Sequence, residues 1–378
     1  MRLLTLAIGA LGVVGALGAT REALAGQAAQ MGVATQLPPA PIKLWNVAWQ
    51  RQLVASRALE WRPEELGGPA VDPVGGLVVV GTRDGWLHAY DPDGRRLWSF
   101  EAAGRFDAAP RVHGDLVYAG ASDGRLLAIE LASGRLRWKY EAQEEVGTTP
   151  IVSGGLVLVM TLQDSLIAVD AKTGAWKWHH RRETREGFTV RGAAPPLVSG
   201  GLALGAYSDG TVAALDLLTG TLKWERKVAP AGNFMDVDGL QVQAGRLFAA
   251  AYSGAVYAID LQTGRQEWEL KTPGASRLAL GAGLLVAVTT TQVLGIGTQD
   301  GSVRWTLPLE GAPAGDPVLL GGTAAVPNGK DLLFIEASSG RLLRAFNPGT
   351  GVSASPAWRG RRVYVLSNSG DLLALDFT

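Results

Sequence analysis

Histidine, cysteine and clustered carboxylates carry most nucleophilic, acid–base and metal chemistry, and this 378-residue chain holds few of them at useful spacing. It has no cysteine, which removes disulfides, thiolate nucleophiles, thiolate metal sites and any lipid anchor built on an N-terminal cysteine. The four histidines are His88, His113, His179 and His180. None stands at H-x-H or H-x-x-x-H spacing, and the adjacent pair 179–180 points to opposite faces of a strand. All four are expected to be structural. No Ser/His/Asp arrangement stands at motif spacing, no glycine-rich phosphate loop follows a strand, and no group of Glu, Asn and Asp forms a convincing calcium cage. Formal net charge is zero, with 35 basic and 35 acidic residues, which argues against a partner such as nucleic acid or an anionic membrane surface. The sequence therefore predicts no catalytic residue, no metal and no cofactor.

The elements behind these residues are set by a repeat. Its unit is an apolar strand after Gly-Gly, then Asp-Gly, a second strand ending Ala-x-Asp, then Thr-Gly and a strand carrying Trp. One copy reads Gly154-Gly155-Leu156, Ala168-Val169-Asp170-Ala171-Lys172-Thr173-Gly174 and Trp178, and others place Trp224 and Trp268 at the same phase. The marker aromatics are Trp98, Trp138, Trp178, Trp224, Trp268, Trp305 and Phe346, at near-even spacing along the chain. Asp-Gly and Thr-Gly supply the positive φ of tight hairpins. One large ring per copy at fixed phase fills the wedge between neighbouring sheets, where its N–H finds a backbone carbonyl. A period of roughly 40 residues with four strands per unit is the signature of a β-propeller.

Seven markers give seven blades, and the termini supply one more. Residues 352–378 form a partial copy, with Ser369-Gly370 and Ala374-Leu375-Asp376, and the orphan strand Asn46–Leu53 carries Trp49. The fold class expected is all-β: an eight-bladed propeller of four-stranded antiparallel blades, closed by an N-terminal strand that completes the last blade. The sixth and seventh copies depart most from the repeat, with Gly295-Ile296-Gly297 in the Ala-x-Asp slot and Phe346 for Trp.

Ahead of the propeller, Met1-Arg2 is a short positive start and Leu3 to Ala19 an apolar or small run, broken at Arg21-Glu22 and followed by Ala23-Leu24-Ala25. This is the anatomy of a secretory signal peptide. The domain reading is a signal peptide over 1–25, a flexible tether over 26–44 and the propeller over 45–378. Cleavage after Ala25 is expected, with an uncleaved inner-membrane anchor as the alternative.

The Ala-x-Asp-x-x-Thr-Gly-x-x-x-Trp unit resembles the pyrroloquinoline-quinone-type propeller repeat. Two families carry it. The quinoprotein dehydrogenases hold the quinone and calcium over the funnel; they are usually much longer, and many stack the quinone on a disulfide between adjacent cysteines, which this chain cannot form. The other family, BamB, is the propeller subunit of the outer-membrane β-barrel assembly machinery and has no cofactor or known catalytic site. The resemblance to BamB covers residues 45–378. It includes two segments that look like that family's docking loops: Phe188-Thr189-Val190-Arg191-Gly192, leading into blade four, and Asp236-Val237-Asp238, leading into blade five. The resemblance implies that Phe188, Val190, Arg191, Asp236 and Asp238 contact the periplasmic polypeptide-transport domain of the machinery's central barrel protein. Unfolded outer-membrane proteins are further partners it admits. Members are commonly lipoproteins; without cysteine, this chain is expected to be soluble in the periplasm or held by its N-terminal helix. A generic ligand- or protein-binding envelope propeller keeps the fold and drops the partner.

Repeat phase supports the pairing of the two segments. Arg191 stands as far ahead of Leu202 as Asp236 stands ahead of Leu247, and each leucine opens a strand, so both residues occupy the same phase of adjacent blades. They are expected to meet on one face of the disc. An Arg flanked by two carboxylates there is either a surface salt bridge worth little, or a guanidinium oriented beside apolar anchors, the composition of a binding hot spot.

Overall fold

The computed structural model describes residues 45–55, 64–182, 194–229, 236–281, 283–312 and 314–377; the segments read as signal peptide and tether lie outside them. All regular structure among the described residues is β, in eight four-stranded antiparallel sheets. Blades one to seven span 70–101, 111–141, 151–181, 197–227, 237–271, 277–308 and 318–346. Blade eight takes three strands from 357–377 and its outermost strand, Trp45–Gln52, from the other end, paired antiparallel with Asp371–Phe377. The ring with a composite last blade is the architecture that the repeat predicts.

Burial follows from stacking blades face to face. In blade three the strand Leu156–Met160 is buried along its whole length, because neighbouring sheets cover both of its faces. The outer strand Trp176–Arg181 keeps only Trp178 buried. Opposite Trp178 in the ladder stands Ala168 of the Ala-x-Asp triplet, small enough for the indole to cross it. The acid of that triplet shapes the next turn. Asp170 Oδ1 accepts from the Lys172 and Thr173 amides and the Thr173 hydroxyl, each at 3.0 Å, which holds its carboxyl below the usual carboxylate range.

The same turn receives the tryptophan of the blade before it. Trp138 Nε1 donates to the Ala171 carbonyl at 3.1 Å, and its ring lies against Gly174. Gly174 has φ 72°, and a methyl there would stand 2.6 Å from the indole, so backbone and packing both demand glycine. Among the described residues, seven junctions repeat this lock, with indole N–H to carbonyl distances of 2.7 to 3.2 Å. Trp49 makes the one from blade eight to blade one, donating to the Pro92 carbonyl over Gly94. Blade six keeps it too despite its altered sequence: Gly295 takes the small-residue place opposite Trp305, whose Nε1 reaches Ala337 O at 2.7 Å.

Blade seven corrects the sequence reading. Phe346 does not hold the tryptophan position; it pairs with Leu332, while Arg344 stands opposite Phe334 in the slot that elsewhere joins Trp to Ala. With no indole to cover it, the small-residue place is free for a large ring. Blade eight in turn has no Thr-Gly turn to receive an indole, because its outer strand comes from the N-terminal side. Aromatic packing fills this seam instead: Trp45 lies 5.1 Å from Phe334, 5.6 Å from Phe346 and 5.8 Å from Phe377, and Phe377 lies 5.1 Å from Trp358.

Two stability measurements test this reading. Gly174→Ala is expected to cost about 2–3 kcal/mol, through strain and collision with Trp138. Gly155→Ala, with φ 76° but nothing within 4 Å of the added carbon, should cost only about 1 kcal/mol in denaturant unfolding. Removing residues 45–53 takes away the Trp49 lock, the Trp45 cluster and an edge strand together, and should lower the thermal midpoint far more than either substitution.

Candidate functional site

Of the sequence-predicted site residues, Asp236 and Asp238 are described, and Phe188, Val190 and Arg191 lie outside the described residues. The two carboxylates sit at the head of blade five, where the inner strand Val237–Gln243 has seven residues against three in blades two, three and four. The register shifts between Val237 and Gly239, so Asp238 sits at a bulge. Gly239 permits the approach of blade six: a methyl there would stand 3.0 Å from both the Leu278 side chain and the Ser276 carbonyl. Gln241 Nε2 donates to Leu278 O at 3.0 Å, fastening the same contact.

Both acids are buried, with Asp236 1% and Asp238 4% exposed. The Asp236 carbonyl accepts the Tyr252 N–H at 3.0 Å. Asp238 Oδ1 has no hydrogen-bond partner among the described residues. Burial pushes the Asp238 carboxyl up to about 7; Arg277 of blade six acts against that rise, and Asp236 and Asp316 add to it. Arg277 in turn donates through Nε to the Ala314 carbonyl at 3.0 Å and lies 3.6 Å from Asp316. Sequence reasoning missed Arg277 and Asp316. The residue types carried no signal, since both fall outside the repeat consensus and only the ring brings them to Asp238.

Arg277 and Asp316 also line the central throat, a cavity of about 410 Å³ whose wall includes Arg105, Asp107 and Glu145. Arg105 lies 3.0 Å from Asp107 and 3.8 Å from Glu145. The throat therefore mixes both signs of charge and has no single-sign field to gather an ionic substrate. Among the described residues, no group of three or more His, Cys, Asp or Glu side chains is placed to hold a metal ion.

Packing holds two of the four histidines, His88 and His180, and His113 and His179 are exposed. His88 is buried, with Nδ1 2.8 Å from Ser99 Oγ and its ring stacked on Trp86, and burial lowers its pKa to about 4. His180 Nδ1 lies 2.8 Å from the Tyr207 hydroxyl, while His179 faces outward beside Trp176.

The Asp238 environment makes a signed prediction. A carboxyl whose folded pKa of about 7 exceeds its ordinary value of 3.8 favours folding fully below pH 3.8 and loses that contribution as pH rises through 7. Asp238→Asn should therefore melt higher than the wild type at pH 8, by an amount that shrinks steadily toward pH 4. A difference that does not change with pH, in thermal melts across that range, contradicts the assignment.

The comparisons bear on the fold and the family. The family model described as outer membrane protein assembly factor BamB matches residues 42–133, 83–306 and 269–378. No curated protein matches the chain in sequence. Among solved structures, BamB from Moraxella catarrhalis superposes with a TM-score of 0.77 at 22% identity, covering 88% of this chain and 100% of its own. The computationally designed Ika8 protein gives 0.68 at 16% identity, over 84% of this chain and 97% of that one. A quinohemoprotein alcohol dehydrogenase from Pseudomonas putida gives 0.69 at 14% identity, over 88% and 76%. At these identities the superpositions speak for the fold, whereas the family model, overlapping across residues 42–378, fixes the lineage: the chain belongs to the family of the outer membrane protein assembly factor BamB.

Proposed function

We propose that the chain is a non-enzymatic scaffold subunit of the outer-membrane β-barrel assembly machinery, working in the periplasm and docking on the periplasmic domain of the central barrel protein. The observation that carries this reading is the pair of acids at the head of blade five. Asp238 keeps a carboxylate in a buried place where one oxygen has no hydrogen-bond partner among the described residues, a costly arrangement that packing alone does not reward. Asp236 stands at the same repeat phase as Arg191 one blade earlier. In this reading Phe188 and Val190 are the apolar anchors, Arg191 the directional contact, and Asp236 and Asp238 hold the surface that presents them. Buried acids suit that supporting role better than direct contact.

A second reading, a quinone-dependent dehydrogenase, draws on the likeness in fold to quinohemoprotein enzymes. The residues fit it poorly. Calcium takes six to eight oxygen ligands, and the described throat places no such set together. The chain also has no cysteine for a disulfide under the quinone.

Capture of the assembly complex from envelope extracts by tagged full-length protein decides between them. Phe188→Ala and Arg191→Ala should each reduce capture about tenfold while leaving the thermal midpoint in place. Capture equal to wild type in both variants refutes the docking assignment. Reconstitution with the quinone and calcium should give no dye reduction above background; turnover there refutes the scaffold reading.

A further inference from the structure

Five blades open with a three-residue inner strand, and the first residue of each is Arg111, Ile151, Leu197, Val318 or Ala357. Four of these are apolar, and Arg111 of blade two is charged. It lines a second chamber of the central channel, about 330 Å³ in volume, which meets the throat along Ala109, Thr149 and Ser355. Blades seven, eight, one and two and the connection into blade three all contribute to its wall. That wall is mostly small or apolar, with Ala70, Val71, Val318 and Ala357 among its side chains. Arg111 is the one charged group among the described residues that line it.

The two arginines of the throat have acids beside them: Arg105 lies 3.0 Å from Asp107, and Arg277 lies 3.6 Å from Asp316. Arg111 reaches toward the next blade as Arg277 does, its Nε donating to the Pro150 carbonyl at 3.1 Å. No carboxylate among the described residues pairs with it. Its place inside the ring lowers its pKa from the ordinary arginine value with no acid to oppose the change, and the group still stays charged. The side chain is exposed to the channel, and its remaining N–H donors are left over once the Pro150 carbonyl has taken one. Between apolar walls water screens a charge less than at an open surface, so an opposite charge placed there is held more strongly.

We propose that this chamber is a binding site for a small organic carboxylate. The Arg111 guanidinium holds the carboxylate through its remaining N–H donors, in the planar fork that suits an acceptor with two oxygens. Ser355 Oγ accepts the Asp316 N–H at 2.7 Å and keeps its own hydrogen to donate, and Thr149 brings a second hydroxyl to the wall. The apolar part of the ligand lies against Ala70, Val71, Val318 and Ala357. A concave, mainly apolar site with a few polar groups that fix orientation is the usual form of a small-molecule pocket. An inorganic anion gains nothing from such walls, and a neutral ligand leaves the guanidinium without its opposite charge. The site does not depend on the docking reading, since no residue assigned to docking lines the chamber.

Acetate, hexanoate and benzoate are titrated into full-length protein by calorimetry in dilute buffer, beside neutral benzamide and sodium chloride. Hexanoate or benzoate should bind more tightly than acetate, while benzamide and chloride give no heat at the same concentrations. Arg111→Gln should weaken the tightest carboxylate about tenfold or more, with the thermal midpoint of the free protein within a few degrees of wild type. Val318→Phe keeps the guanidinium and fills the chamber, and should weaken it comparably. Benzamide binding as well as benzoate overturns the carboxylate assignment, and chloride binding as well as either reduces Arg111 to a counter-ion position. Carboxylate binding that survives Arg111→Gln overturns the site, as does no binding by any of the three acids up to about 10 mM. Where Arg111→Gln melts much lower than wild type, Val318→Phe decides, and unchanged binding there overturns the chamber.

Discussion

The ring depends on one contact made again and again: an indole that covers a left-handed glycine of the next blade while its N–H reaches the carbonyl just after that blade's triplet. A sheet stacked face to face on another has no directional contact of its own, since apolar burial is proportional to area and indifferent to register. The indole adds that direction. Its hydrogen bond fixes where along the next blade the ring lies, and the glycine beneath it admits only one depth of approach. Blade spacing is thereby set at the outer edge, where wedge-shaped gaps are widest. Alanine or Gly295 opposite the indole completes the arrangement from within the blade.

Where the lock is impossible, the structure replaces it with bulk. Joining the two ends of the chain in blade eight removes the turn that would have received an indole from blade seven. Arg344 then occupies the indole's slot, and Phe334, Phe346, Trp45, Trp358 and Phe377 fill the seam. These rings pack without a matching hydrogen bond: the Trp358 Nε1 is buried with no partner among the described residues. Closure is secured by the neighbouring junction, where Trp49 of the borrowed strand locks onto blade one.

Legibility followed the lock. Tryptophan, Thr-Gly and Ala-x-Asp have fixed offsets because one contact demands all three, so eight blades and the composite eighth could be read from spacing alone. Phe346 misled for the same reason. It is the aromatic nearest the expected phase, but the slot lies four residues after the turn glycine, as Trp178 does after Gly174, and four after Gly340 stands Arg344, which the ladder sets opposite Phe334. The candidate site was legible only as far as repeat phase reached. Asp236 and Asp238 could be matched to Arg191 by counting, yet their burial comes from a lengthened inner strand and from the approach of the next blade, which also brings Arg277 and which counting does not see.

A lock this self-sufficient also explains why likeness of fold says so little about chemistry here. The outer turns set the ring at seven junctions, and connections such as those carrying Phe106 and Val146 add buried apolar surface, while the connections as a set differ in length and charge. A designed chain and a dehydrogenase overlay on this protein about equally well, and no catalytic group need be shared for that to happen. What distinguishes one such propeller from another must lie in departures from the repeat. In this chain such departures include a buried carboxyl at the bulge that opens blade five. It is a departure of that kind because the ring closes by the same lock whether or not the acid is there.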